Sequence, residues 1–327
     1  MRDKVINNKN FIIENTWMNE YDYDLRDEAL RDLLHNIKTN MEKGDKFEIK
    51  YKTKKMEKVK NESLSVLAKK WGKKNTFYSS IFNSHVLKSS EIIPKELNYT
   101  SRLVKTPTNK YFLTIPKPLE IVSENQARNK MLFIDPGVKT FITGYDPSGK
   151  IVTIGEKDIG RIARLLHYKR KLQRKLKLEK NHSNKYNKRK AFLKMNEKIT
   201  NLVEDMHKKT SAWLCKNYEH IFISRLNFHN CKKLNKRSKE KMASLRHCSF
   251  VDRLKYKSRE TKSYVYEINE AYTSKTCSNC GNIKEDLKNK DTYECKKCNI
   301  MIGRDINASK NIMLRYFTKR AILVHPK

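Results

Sequence analysis

The feature that most narrows what this chain can fold into is a pair of cysteine knuckles, Cys277-Ser-Asn-Cys280 and Cys295-Lys-Lys-Cys298, in a C-x2-C-x14-C-x2-C spacing. Each C-x2-C presents two thiolates on one tight turn, and two such turns supply the four soft ligands of a tetrahedral Zn2+. Turn residues Gly281 and Asn282 follow the first pair, and KEDLKNKDTYECKK, which leads into the second, is too polar to shelter four free thiols in an apolar core. The spacing therefore predicts a structural zinc held by Cys277, Cys280, Cys295 and Cys298. Cys215, Cys231 and Cys248 lack knuckle spacing and read as ordinary small apolar residues.

The amino end, MRDKVINNKN, carries no apolar run of the kind that directs secretion, and no apolar stretch approaches the ~20 residues of a membrane-spanning helix. The expectation is an intracellular, reducing compartment, where disulfides are unusual and metal comes first for paired cysteines. Lys and Arg number 72 against 36 Asp and Glu, a net charge of +36 whose natural partner is a polyanion. Gly and Pro are scarce at 9 and 7 while Lys, Asn, Ile and Tyr abound, the usage of an AT-rich genome, which raises lysine independently of binding. The charge alone thus supports a nucleic-acid partner only in part.

Along its 327 residues, enough for two or three domains, the pattern changes several times. DLRDEALRDLLHNIKTNMEK (Asp24 to Lys43) spaces Leu25, Ala29, Leu33 and Ile37 four apart, which predicts one amphipathic helix. From Lys46 to about Leu119, short segments such as KFEIKYKTK, SLSVLAKKW and KYFLTIPKP separated by turn residues predict an antiparallel sheet or small barrel with basic residues on its exposed face. MLFID, TFITGY and KIVTIG then predict three strands joined by tight turns. Asp158 to Tyr218 reads as two helices broken around Asn181 to Asn184. After it come a strand (His220 to Leu226), a basic helix (about Ser238 to Glu260), a strand (Ser263 to Asn269), the cysteine-rich insert and a short helix (about Asp305 to Tyr316). The order β-β-β-α-β-α-β-insert-α from Lys130 is that of a ribonuclease H-like α/β fold, a mixed sheet with helices on its faces.

Two acids stand where such a fold gathers ligands. Asp135 ends the first strand of that sheet, where a carboxylate holds Mg2+ as readily as it starts the turn at Pro136-Gly137. Asp305 opens the last helix, in GRDINASKNI, and serves equally as an N-cap or early-turn acid.

FIDPGVKTF (Phe133 to Phe141), EAYTSKTCSNCG (Glu270 to Gly281) and GRDINASKNI (Gly303 to Ile312), with MHKKTSAWL and SLRHCSF between them, resemble the RuvC-type nuclease motifs and embedded zinc ribbon of the TnpB and Fanzor transposon-encoded nucleases, relatives of type V CRISPR effectors. The likeness runs from about Lys130 to Tyr316 and extends upstream to YDYDLRDEALRDLLHN, which is similar to the end of that family's helical recognition lobe. The resemblance implies an RNA-guided DNA endonuclease whose partners are a guide RNA and target DNA, cutting with Mg2+ or Mn2+. Asp135 matches the first catalytic acid and Asp305 the third. TnpB-type proteins carry the second, a Glu, where this chain has Ser224; Fanzor proteins carry one just before TSKTC, where this chain has Glu270, so the expected catalytic and magnesium-binding set is Asp135, Glu270 and Asp305.

The same resemblance implies residues 1–45 as a remnant of the helical lobe, 46–129 as a β-rich wedge-like domain, 130–272 with 300–327 as the RuvC nuclease domain, and 273–299 as a zinc ribbon that binds target nucleic acid. The family normally has a longer lobe ahead of the helix at Asp24, so the amino end is expected to be reduced or truncated. In the basic stretch Arg161 to Lys190, Lys169, Arg170, Arg174 and Lys175 are the expected contacts to a guide–target duplex, which needs charge without base-reading side chains; a solvated helix pair rich in lysine is the plainer alternative. A nucleus or viral replication site fits such a protein, and its oligomeric state is left open between monomer and higher forms. Two other functions remain: a catalytically degenerate RNA- or DNA-binding relative, and a zinc-ribbon accessory of transposition that binds DNA without a guide.

Overall fold

The computed structural model describes residues 2–42, 44, 48, 61–71, 88–121, 127, 129–224, 235–268, 273–284 and 291–324. The chain divides into two compact units, Met1–Pro118 and Leu119–Lys327.

In the first unit the amphipathic stripe forms helix α1, Tyr23–Glu42, close to its expected bounds. It packs on a three-stranded antiparallel sheet of β1 (Glu62–Val66), β2 (Ser101–Lys105) and β3 (Tyr111–Thr114). Leu25 and Val66 are buried together, with Leu64, Trp71 and Leu113 against them. The segment KFEIKYKTK and the question of barrel closure lie outside the described residues. The exposed bases of this sheet are partly neutralised: Arg102 makes a two-pronged pair with Asp32 at 2.9 Å on both oxygens, and Lys105 pairs with Glu62 at 3.4 Å.

The second unit is built on a five-stranded sheet in the order β6-β5-β4-β7-β8: β4 Met131–Pro136, β5 Ile142–Tyr145, β6 Ile151–Ile154, β7 His220–Ser224 and β8 Tyr264–Ile268. The three early strands pair antiparallel through tight turns, and β7 and β8 add in parallel on the other side of β4. A central antiparallel meander extended by parallel strands reached through helical crossovers is the ribonuclease H-like arrangement, as the element order predicts.

Both faces of the sheet are covered, which is why MLFI and IFI are unbroken apolar runs and not alternating ones. Leu132, Ile134, Ile221 and Ile223 point to one side and pack against α2 (Glu156–Leu178), α3 (His182–Asn217), α4 (Lys236–Leu245) and α5 (His247–Thr261) through Ile162, Leu166, Val203, Leu214, Leu245, Phe250 and Leu254. Phe133 and Phe222 point to the other, under Ile312, Met313 and Tyr316 of α6, Arg304–Val324. There Phe133 stacks on Phe222 with ring centres 4.5 Å apart, and Phe222 on Tyr266 at 4.7 Å, one aromatic per strand at matching register. Full burial of each phenyl contributes about 1.5–3 kcal/mol.

Two expected boundaries move. The basic helix anticipated from Ser238 to Glu260 is two helices, α4 and α5, parted at Arg246, whose backbone is left-handed at φ 47°. Glu204 of α3 accepts from Arg246 at 2.7 Å and also holds Arg253, so two ion pairs offset a backbone state that costs a non-glycine residue roughly 1–2 kcal/mol. Helix α6 runs to Val324, beyond the expected end near Tyr316, because FTKRAILV offers nothing to stop it. The break between α2 and α3 falls where expected, with the Asn181 side chain accepting from the Asn184 amide at 3.1 Å.

Candidate functional site

Side chains alternate along a strand, so Asp135 shares the face of Phe133 and Ser224 that of Phe222, the face roofed by α6. Ile134 stands level with Ile223, and Ser224 with Ile268, which brings the ends of β4, β7 and β8 to one rim of the sheet. Such carboxyl-end rims are where open α/β sheets take ligands. Ser224, a neutral hydroxyl, is buried there. Glu270 lies outside the described residues.

Asp305, in the first turn of α6, meets this rim at Gly137. A methyl placed on Gly137 would lie 3.8 Å from the Asp305 carboxylate Oδ2 and 2.6 Å from the Thr140 carbonyl oxygen. Glycine is thus required at this turn, two residues past Asp135, by the Thr140 carbonyl, and the Asp305 carboxylate lies at ordinary contact distance from it. Burial raises the Asp305 pKa above the ordinary carboxylate value, against a lowering by Arg304; Asp291 raises it further and Lys139 lowers it. Lys139, four residues past Asp135, forms an ion pair with Asp291 at the edge of the cysteine insert.

The turn after Asp135 is held from below. His247, at the start of α5, bonds through Nε2 to the Gly137 carbonyl at 3.1 Å, and Phe141 is stacked between His247 and His207 with ring centres 5.0 and 5.2 Å away. His207 bonds to the Leu245 carbonyl at 2.9 Å. Burial, more than any charge nearby, brings both imidazoles down to about 4, so they are neutral packing groups at neutral pH.

The cysteine insert leaves the sheet after β8 and returns into α6, with a two-stranded ribbon of β9 (Thr292–Glu294) and β10 (Met301–Gly303) at its heart. The four expected cysteines converge: their Sγ atoms lie within 4.8 Å of one another, with Cys277 to Cys298 and Cys280 to Cys295 both 3.6 Å. A tetrahedron of thiolates at the Zn–S bond length of about 2.3 Å has edges of about 3.8 Å, so the cluster has the size of a zinc site. Bonds from the Asn279 side chain and then the Ile300 amide bring the Cys298 thiol down to about 6. Cys280, although the Asn282 amide favours its thiolate, is pushed up to about 12 by burial and by its neighbouring thiols. A cation between them would hold all four as thiolates. Of the remaining cysteines, Cys215 is buried with its thiol pushed up to about 11 by desolvation, Cys248 is exposed, and Cys231 lies outside the described residues.

Two asparagines that sequence reasoning passed over join this insert to α6. The Asn307 Oδ1 accepts from the Ser278 amide at 2.9 Å and its Nδ2 donates to the Thr276 carbonyl at 2.8 Å. Asn311, one turn later, donates to the carbonyls of Thr273 at 2.7 Å and Thr276 at 2.6 Å. Both amides are buried. The signal was there in NASKN, two amides at i and i+4 where an amphipathic helix wants apolar side chains.

The four basic residues of α2 fare differently from one another. Arg174 and Lys175 are exposed. Lys169 lies 5.8 Å above the Phe192 ring, and Arg170 is paired with Glu240 at 2.6 Å. Arg170 also lines, with Ala163, Leu166, Arg237, Ser238 and Lys241, a cavity of about 180 Å³ between α2 and α4.

Residues 104–235 match the family model described as "Probable transposase", and residues 247–312 the one described as "Cas12f1-like, TNB domain". TnpB-like protein L79 of Acanthamoeba polyphaga mimivirus is 30% identical over 270 residues, 78% of this chain and 50% of that protein. TnpB-like protein L770 of the same virus is 30% identical over 306 residues, 88% of this chain and 56% of that protein. The chain belongs to the TnpB-like family. This TnpB-like chain spans about half the length of the curated relatives it matches. Among solved structures it is similar to one described as "Cryo-EM structure of the Cas12f1-sgRNA-target DNA complex", with 19% identity and a TM-score of 0.48 over 65% of this chain and 45% of that one. No helix among the described residues is long and apolar enough to cross a membrane.

Proposed function

We propose that this TnpB-like chain is a metal-dependent, RNA-guided DNA endonuclease closer to Fanzor than to TnpB proteins, with a zinc ribbon held by Cys277, Cys280, Cys295 and Cys298. The observation that carries the reading is the approach of the Asp305 carboxylate to Gly137, beside Asp135, at the rim formed by the ends of parallel strands. A divalent ion there supplies Lewis-acid stabilisation of charge on a phosphodiester. Asp135 and Asp305 would hold it, with Glu270 as the third carboxylate; in sequence Glu270 follows Ile268, the sheet partner of Ser224, by two residues. The exposed charge of Arg174 and Lys175 suits the backbone of a guide–target duplex.

Purified protein with RNA recovered from its native host, a matching DNA and Mg2+ tests this directly. Cleavage should be present in the wild type and lost in Asp135→Ala, Asp305→Ala and Glu270→Gln. Retained cutting in Glu270→Gln alone removes that residue from the set. A second reading, a degenerate nucleic-acid binder, is favoured by the neutral Ser224 on the inner face of the rim; tight RNA binding with no cleavage by the wild type would select it.

A further inference from the structure

We infer that Asn307 and Asn311 are positioning residues that couple the four-cysteine centre to the carboxylate site, so that zinc in the ribbon raises the affinity of the Asp135/Asp305 site for its divalent ion. This deepens the proposed function and rests on its assignment of those two sites.

Asn307 follows Asp305 by two residues, about 200° around the helix. The carboxylate therefore faces the Gly137 turn from one side of α6 while the amide faces the ribbon from the other. Asn307 grips the backbone on both sides of Cys277, through the Thr276 carbonyl and the Ser278 amide. Asn311 closes on Thr276 again and on Thr273. These bonds end on the knuckle backbone, whose path is the one that four metal–thiolate bonds hold fixed. A knuckle without metal keeps no such path, and the first turn of α6 then loses its support opposite the carboxylate. The packing of Ile312, Met313 and Tyr316 on Phe133 and Phe222 fixes the middle of the helix, and the ribbon holds its first turn, where the Arg304 amide also donates to the Asp291 carbonyl at 2.8 Å.

Coupling between two binding sites is reciprocal and commonly amounts to roughly 5- to 150-fold in affinity. The experiment measures Mn2+ binding by the loss of its free-ion paramagnetic resonance signal, in protein with zinc and in protein stripped by a chelator, alongside the rate at which zinc passes to the chelator. In the wild type, stripping zinc should weaken Mn2+ binding by about tenfold. Zinc-loaded Asn307→Ala and Asn311→Ala should show the weaker Mn2+ binding already and should surrender zinc several-fold faster. In the double variant Mn2+ affinity should no longer depend on zinc. Ile312→Val is the control, since it loosens α6 from the sheet without touching the ribbon; matched to the asparagine variants in thermal midpoint, it should leave Mn2+ affinity and zinc release near wild type. Unchanged Mn2+ affinity in both asparagine variants, or an equal loss in Ile312→Val, would overturn the coupling. If Mn2+ binding is indifferent to Asp135→Asn and Asp305→Asn, the assignment of the carboxylate site has failed instead; zinc release then still judges the mechanical link, and rates equal to wild type in both asparagine variants would overturn it.

Discussion

His207 and His247 illustrate how much a single side chain can carry without taking part in chemistry. Their imidazoles sit near 4 because burial, together with Arg246 and Arg253 close to His207, disfavours the charged ring, Glu204 and the carbonyls of Leu245 and Gly137 acting the other way. The unfolded chain takes up protons near the ordinary 6.5 while the folded chain refuses them until about 4, so stability is full above 6.5 and drains away as pH falls toward 4. Each ring stands to contribute on the order of 3 kcal/mol to that loss. Urea unfolding at pH 7 and pH 5 should show a marked drop in midpoint for the wild type and a shallower one for His207→Gln/His247→Gln; equal drops would clear the histidines. Gly137 makes a different point at the same scale. In Gly137→Ala the new methyl meets the Thr140 carbonyl at 2.6 Å, a backbone atom, so the turn itself must move. A destabilisation of about 1–3 kcal/mol is expected, as for other overpacked sites, with cleavage lost beyond what stability explains. Near wild-type cutting in a folded Gly137→Ala protein would mean that the turn after Asp135 can shift without cost to the site.

At the level of elements, charge and exposure part company along α2. Arg170 spends its guanidinium on Glu240, and Lys169 leans over Phe192, while Arg174 and Lys175 face solvent. Only free cations release counterions from a bound polyanion, and each phosphate contact adds close to one unit to the slope of log affinity against log salt. Arg174→Gln/Lys175→Gln should therefore flatten that slope by about two. Arg170→Gln should leave the slope unchanged and lower the melting temperature, because it strands Glu240 against α2. A filter-binding series from low to high salt decides the matter, and a slope that answers to Arg170 and not to Arg174 and Lys175 would reverse the assignment. Basic helices of this kind are easy to see in a sequence and hard to apportion, since the partner of Arg170 comes from α4, beyond the whole of α3.

For the molecule as a whole, removing the metal is the broadest perturbation available. Protein purified under reducing conditions should hold about one equivalent of zinc and lose it in Cys277→Ser/Cys280→Ser. The sheet with α2 to α5 should survive that loss, since among the described residues its core draws nothing from the ribbon; far-ultraviolet circular dichroism collapsing with the metal would contradict this. What could be foreseen follows from where each signal resides. MLFID and HIFIS announce strands because a sheet covered on both faces selects unbroken apolar runs, YVYEI reads as an edge strand from its aromatic and β-branched residues, and the cysteine spacing announces its centre because the thiols come in local pairs. The break at Arg246 could not be seen, as SLRHCSF holds neither Gly nor Pro and the ion pairs that steady it come from Glu204. For Asn307 and Asn311 the i, i+4 amides on an amphipathic helix were visible, and what was hidden was their partners, which lie across the insert.

Chain order adds a consequence in time. The two aspartates are contributed by the first strand of the sheet and by the helix that follows the ribbon, so every strand of the sheet has been synthesised before Asp305 exists. Domains fold as they emerge during translation. On the proposed reading, a growing chain that has finished β8 owns the basic helices α2 and α3 and lacks Asp305, so it would bind a polyanion before it could cut one. On that reading the molecule would acquire its grip first and its cutting edge last.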